Sequence, residues 1–164
     1  MSYYVVIRGP LGIGKSTVAA RLAQKIKAQH FFIDNLISEN NLEKDIEGGY
    51  ISQKSFIRAN ELIEPRAREV LKRGRPIVID GNFYWKSQLD DLKKRLPYPQ
   101  YVFTLRAPLE VCIARDRERN APHGEDAARV VYTKSTEFHY GISIDATKPL
   151  EETVQEIVSH LLAD

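Results

Sequence analysis

The amino-acid sequence predicts an α/β fold: one parallel sheet with helices on both faces, three layers in all. Two patterns and one turn point to it. Five short runs rich in β-branched and aromatic residues recur, at 3–7, 30–33, 76–79, 101–105 and 142–144, and apolar runs of this kind suit strands buried on both faces. Stretches with apolar residues at helical spacing lie between them, and such alternation calls for right-handed crossovers and therefore a five-stranded parallel sheet. A glycine-rich turn separates the first strand from the first helix.

In chain order, Tyr3-Tyr4-Val5-Val6-Ile7 leads into Gly9-Pro10-Leu11-Gly12, which ends the first strand. Residues 15–29 place Val18, Leu22 and Ile26, with Ala19 and Ala23, at helical spacing, and Ser16 and Thr17 add polar groups to the first turn. The second strand, 30–33, ends at Asp34. Residues 34–55, containing Asn40-Asn41 and Gly48-Gly49, have the least regular pattern and are expected to be irregular and mobile. Helical spacing resumes over 56–73, and the third strand, 76–79, ends at Asp80. Helices over 86–96, 109–119, 125–140 and 150–163 then alternate with strands over 101–105 and 142–144, the last ending at Asp145. Pro122-His123-Gly124 breaks the pattern, so residues 115–130 are expected to form a short helical lid.

The 164 residues fit one domain, with no visible linker. Hydrophobic residues make up 43% and charged residues 28%, enough for a core, which excludes the disordered, collagen-like and disulfide-scaffold classes. Against 22 Asp and Glu, 24 Lys and Arg leave a net charge of +2, so attraction to nucleic acid or an anionic membrane would need a local patch. Cys112 stands alone in an apolar helical run and reads as a buried small hydrophobe, at home in a reducing cytoplasm. The opening residues lack a basic start, a long apolar stretch and a small-residue cleavage site, so neither a signal peptide nor a membrane span is expected.

Gly9-Pro10-Leu11-Gly12-Ile13-Gly14-Lys15-Ser16 matches G-x-x-x-x-G-K-[ST] at every fixed position, between a strand and a helix as the motif requires. Gly9, Gly12 and Gly14 let successive backbone N–H groups, that of Ile13 included, turn toward phosphate oxygens, and the helix offers its positive end. Lys15 supplies a cation, Ser16 a hydroxyl for Mg²⁺, and Thr17 can reach an α-phosphate. The loop therefore reads as a site for a nucleoside triphosphate with magnesium.

Ligands gather beyond the carboxyl ends of parallel strands, which puts Asp34 and Asp80 beside this loop. Asp80 suits a Walker B carboxylate that complements Ser16 at magnesium, or else caps the next helix. Asp34 is placed to accept a proton from an attacking hydroxyl, or else caps a turn with Asn35. Arg115 and Arg119, four apart, share one helical face that can neutralise a transferring phosphoryl group as a lid closes, with Arg129 joining from the return helix. The bland reading of Arg-Asp-Arg-Glu-Arg is a salt-bridged surface. Arg66, Arg68, Lys72, Arg73 and Arg75 mostly occupy the end of a helix, where cations oppose its negative end. The four histidines show no metal-ligand spacing, and His123 is notable only for its place in the lid.

These features resemble the small P-loop kinases of adenylate kinase and shikimate kinase type, particularly the chloramphenicol phosphotransferase-like and polynucleotide kinase-like branch. The phosphate loop, the Asp34 strand end, the run from Lys72 to Asn82, the Arg115/Arg119 pair and the run from Tyr140 to Thr147 carry the resemblance. It implies a P-loop fold with strand order 2-3-1-4-5, Asp34 as general base, Arg115 against the adenine and Arg119 on the phosphates. It also implies an adenine pocket lined by the loop containing Thr147 and Lys148. The stretch Asp80-Gly81-Asn82-Phe83, with Gln88 downstream, looks like adenylate kinase, but the Pro-Arg pair usual there is missing. No Asn-Lys-x-Asp motif for guanine is present in a suitable place, so ATP is expected over GTP.

The resulting expectation is an ATP- and Mg²⁺-dependent kinase acting on a hydroxyl of a small molecule, nucleoside or nucleic-acid end, with the nucleic-acid end less favoured. A nucleoside monophosphate kinase and a non-catalytic ATP-dependent switch are the alternatives. A cytoplasmic monomer or weak dimer without membrane association is expected.

Overall fold

The computed structural model describes residues 2–118 and 124–161. At its centre is β1 (Tyr4–Arg8), buried at all five residues because both faces of the strand are covered. Its side chains alternate between two cores. Tyr4 and Val6 pack into one with Ile33, Phe56 and Leu89. Val5 and Ile7 pack into the other with Leu22, Cys112 and Ile157. A strand feeding two cores reads as a continuous apolar run instead of an alternating one.

Four more strands complete the sheet: β2 (Gln29–Phe32), β5 (Ile77–Gly81), β6 (Gln100–Arg106) and β7 (Ile142–Asp145). The order is β2-β5-β1-β6-β7, and every pairing is parallel. Numbered among themselves, these five strands have the 2-3-1-4-5 order implied by the resemblance. Helices α1 (Lys15–Ile26), α5 (Leu109–Glu118) and α7 (Leu150–Leu161) cover one face, and α2 (Ile33–Glu39), α3 (Gln53–Lys72) and α4 (Lys86–Arg95) the other. Among the described residues no helix is long and apolar enough to cross a membrane.

Three expectations need correction. Residues 34–55 are structured: they form α2, a 3-10 turn (Leu42–Lys44) and a hairpin of β3 (Ile46–Glu47) and β4 (Tyr50–Ile51). Gly48 and Gly49 both have positive φ, 59° and 88°, which the tight hairpin turn requires. Strand β2 stops at Phe32, so Asp34 lies in the first turn of α2 and not at a strand end. The helix expected over 125–140 is α6 (Glu125–Ser135). It must stop early, because Gly141 passes so close to β6 that a Cβ there would lie 2.1 Å from the Val102 carbonyl oxygen.

The basic stretch 66–75 is largely accounted for by ion pairs along α3 and its end, Arg68 with Glu64 and Arg73 with Glu69. Exposed pairs of this kind contribute little individually.

Arg8, the last residue of β1, is fully buried. Its guanidinium donates to Phe83 O at 3.1 Å, Thr104 Oγ1 at 3.0 Å and Ser135 O at 2.9 Å, and it lies 4.6 Å from the Phe138 ring centroid. Burial, and secondarily the charge of Arg106, push it down to about 10. No carboxylate lies within ion-pair distance among the described residues; the cation is held by neutral acceptors and by the negative end of α6. One side chain thereby joins β1, the turn after β5, β6 and α6. Removing it leaves buried carbonyls without partners, so Arg8→Ala is expected to cost about 3 kcal/mol of unfolding free energy in a urea titration. A loss under about 1 kcal/mol would contradict this role.

Candidate functional site

The loop from Gly9 to Gly14 leaves the carboxyl end of β1 and enters α1, with Gly14 capping the helix at φ 96°. That conformation suits glycine, and it aims the first free N–H groups of α1 into the loop. Gly12, at φ 78°, is pressed on α5: a Cβ there would meet the Cys112 carbonyl oxygen at 2.2 Å. From the same helix, Arg115 donates to Ile13 O and to Ala146 O, each at 2.8 Å. Loop, α5 and the segment after β7 are thus tied together.

Lys15 is buried, its Nζ donating to Pro10 O at 3.5 Å and lying 3.9 Å from Asp34 Oδ2. Asp34 Oδ1 accepts from the Asn82 N–H at 3.3 Å. The short helix α2 therefore delivers a carboxylate to the phosphate loop, although Asp34 is not where the strand pattern put it. Asp80, 2% exposed, accepts from Ser16 Oγ at 3.1 Å on Oδ1 and is hydrogen-bonded by His30 Nε2 on Oδ2. Both oxygens face side chains of the site. A hydroxyl beside a buried carboxylate is an oxygen donor set that fits Mg²⁺, a hard cation usually held through one or two such groups and substrate phosphates.

Two cavities flank the loop. The larger, about 440 Å³, runs from Lys15, Ser16 and Asp34 to Asn82, Tyr84, Ile51 and Phe56. The smaller, about 270 Å³, lies between Gly14, Thr17, Arg115, Lys148 and Thr153. Lys148 lines the smaller cavity. Thr147 is turned away, its N–H and hydroxyl both donating to Asp145 Oδ1. These bonds hold the Asp145 carboxyl below its usual range.

Arg117 and Arg129 both pair with Glu125, and Arg129 lines neither cavity. Both are thus exposed and ion-paired to one carboxylate. Arg119 and His123 lie outside the described residues. Asp116 is buried and accepts from the Gly124 N–H at 3.3 Å, joining the end of α5 to the start of α6.

Sequence reasoning missed several residues at the site. His30 shares a strand face with Phe32, whose register partner is Asp80, and the two rings stack at 3.9 Å; finding it requires knowing that β2 pairs with β5. Tyr84 OH accepts from the Ile51 N–H at 3.1 Å, and Trp85 Nε1 donates to Ile51 O at 2.7 Å, which docks the β3–β4 hairpin at the large cavity. Burial pushes the Tyr84 phenol up to about 12, so it remains a neutral wall. The Gly48-Gly49 pair between short apolar segments was the one available sign of this hairpin.

Residues 5–137 match the family described as AAA domain, and the chain belongs to that family. It is 26% identical to deoxyguanosine kinase of Bacillus subtilis (strain 168) over 178 aligned positions, covering 94% of this chain and 83% of that protein. It is 24% identical to adenylate kinase of Mycoplasmopsis pulmonis (strain UAB CTIP), covering 89% and 72%. Its fold matches that of a gluconokinase from Sinorhizobium meliloti 1021 with a TM-score of 0.76 at 21% identity, covering 96% and 90%. With the phosphate loop in place, the chain is a P-loop phosphotransferase, an ATP-dependent kinase.

The packing of Gly12 on α5 has a measurable consequence. Gly12→Ala is expected to weaken binding of a fluorescent ATP analogue at least about tenfold and to lower the melting temperature by about 5 °C, since the new methyl must displace backbone at a positive φ. Wild-type affinity and melting temperature would contradict the close approach.

Proposed function

We propose that this kinase transfers the γ-phosphoryl group of ATP to a hydroxyl of a small-molecule acceptor, with Asp34 as the general base. One observation carries the reading: the Asp34 carboxylate stands beside Lys15 and lines the cavity of about 440 Å³. That is where a group must be to take a proton from an alcohol attacking a phosphate held by the loop. The names of the relatives, deoxyguanosine kinase, adenylate kinase and gluconokinase, span different acceptors, so the assignment comes from the site.

In this reading the backbone N–H groups of residues 12–16 and the Lys15 ammonium bind the phosphates, and Thr17 lies on the side of the α-phosphate. Arg115 and Lys148 border the adenine cavity. Ser16 and Asp80 would hold the magnesium ion, which supplies charge neutralisation at the β- and γ-phosphates when bound. Asp34 orients the acceptor hydroxyl and takes its proton, while the Asn82 N–H holds the carboxylate in place. Arg119 is assigned to the transferring phosphates by resemblance alone. A cavity of this size suits a small molecule better than a polynucleotide end.

Asp34→Asn keeps the shape and removes the basicity. It is expected to leave ATP affinity within a few-fold of wild type and to cut acceptor phosphorylation by about 10²–10⁴-fold. The wild-type rate should fall at low pH as the base protonates, and this limb should be missing in the variant. An acceptor phosphate, already ionised, needs no base, so an Asp34→Asn enzyme at full rate would point to a monophosphate kinase.

A further inference from the structure

We infer that the acceptor is an alcohol without negative charge that joins an apolar part to a hydrogen-bonding part, and that Asn82 and Glu43 select it. The inference rests on the hydroxyl-acceptor reading above and narrows its substrate class.

The larger cavity has a divided lining. Ile37, Ile51 and Phe56 give it an apolar side, and Asp34, Glu43 and Asn82 a polar one. Among the described lining residues Lys15 is the one cation, and it belongs to the phosphate loop, where ATP claims it. An acceptor carrying a carboxylate or phosphate would therefore meet the Asp34 carboxylate, which lies 3.9 Å from Lys15 Nζ, and that of the exposed Glu43, with no second cation among the described lining residues to bind it. A like charge facing a ligand disfavours it, by an amount that solvent screening reduces at exposed groups. Glu43 is on the 3-10 turn (Leu42–Lys44), which Ser55 Oγ anchors to α3 by donating to Leu42 O at 2.7 Å. It stands ready to accept from a hydroxyl or an ammonium group.

A second observation points independently to a hydrogen-bonding ligand. Asn82 is 7% exposed and lines this cavity, yet its Oδ1 is buried without a hydrogen-bond partner. A buried amide oxygen left unsatisfied is costly, and native structures seldom keep one without a reason. The amide can turn to present its oxygen or its nitrogen, which matches a hydroxyl because a hydroxyl both accepts and donates. The backbone around it is fixed. Its N–H is bonded to Asp34, and the next residue, Phe83, is held at φ 45° with its carbonyl bonded to Arg8. Asn82 and the proposed base thus keep a set relation, so a second polar group on the acceptor can determine which hydroxyl meets Asp34.

The test uses matched acceptors with the full-length enzyme and saturating Mg·ATP: a nucleoside against its 5′-monophosphate, glucose against gluconate, and an aryl amino alcohol against the corresponding hydroxy acid. ADP release gives kcat/KM, and phosphorus NMR identifies the bond formed. The uncharged or amine-bearing member is expected to exceed its anionic partner by about tenfold or more wherever product forms, and Glu43→Lys is expected to narrow that ratio about tenfold. Asn82→Leu should raise acceptor KM about tenfold with KM for ATP unchanged. Should that variant fail to fold, as judged by its melting curve, Asn82→Ser gives the same readout. Preference for the anionic member with a phosphate ester as product overturns this acceptor class and leaves the hydroxyl kinase standing. A phosphoanhydride product overturns the hydroxyl kinase itself. Product from no member of any pair, or unchanged acceptor KM in the Asn82 variants, also overturns the inference.

Discussion

The loop after β1 presses against α5 at Gly12, where there is no room for a side chain between the loop and the Cys112 carbonyl, and Arg115 completes the joint by bonding Ile13 O and Ala146 O. This contact fixes the course of the phosphate loop and, with it, the separation of the two cavities. The side with Lys15, Ser16 and Asp34 opens toward α2 and the hairpin. The side with Thr17 and Arg115 opens toward α7. In the proposed reading a loop divided in this way lets two ligands approach one phosphate chain from opposite sides, which is the geometry in-line transfer requires.

Around that joint four charged side chains are buried among the described residues, each compensated differently: Asp116 accepts from the Gly124 N–H, and the other three differ again. Asp80 is held by Ser16 and His30, Lys15 by Pro10 O and Asp34, and Arg8 by carbonyl and hydroxyl oxygens and the Phe138 ring, with no carboxylate. An unpaired buried charge would be prohibitively costly. In the proposed reading magnesium and phosphates bind at Asp80 and Lys15, whose present partners would then act as placeholders as well as supports. Arg8 serves a different end: by holding Phe83 O and Ser135 O it links the turn beside the larger cavity to α6.

Much of this was legible in the chain. All five strands showed as apolar runs, although only β1, β5 and most of β6 are buried while the edge strands β2 and β7 are largely not, and the phosphate loop showed as a motif with four fixed residues in the required strand–helix setting. What stayed hidden depends on tertiary neighbours. The hairpin strands have two residues each, too few for alternation to register. Asp34 follows an apolar run, but one more residue in β-conformation and the first turn of α2 look alike in sequence. His30 matters only because β2 lies beside β5, and Asn82 and Glu43 only because α2, the 3-10 turn and the β5 turn meet at one cavity. Nor does an arginine ending an apolar strand announce that it is fully buried.

The division of the site between two ligands is the central claim, and mapping the binding of a non-hydrolysable ATP analogue with magnesium by NMR tests it most directly. Shift changes, with contacts to the adenine protons, are expected at Thr17, Arg115, Lys148 and Thr153, while Ile51, Phe56 and Tyr84 remain unperturbed until an acceptor is added. Contacts between the adenine protons and Ile51, Phe56 or Tyr84 would contradict it.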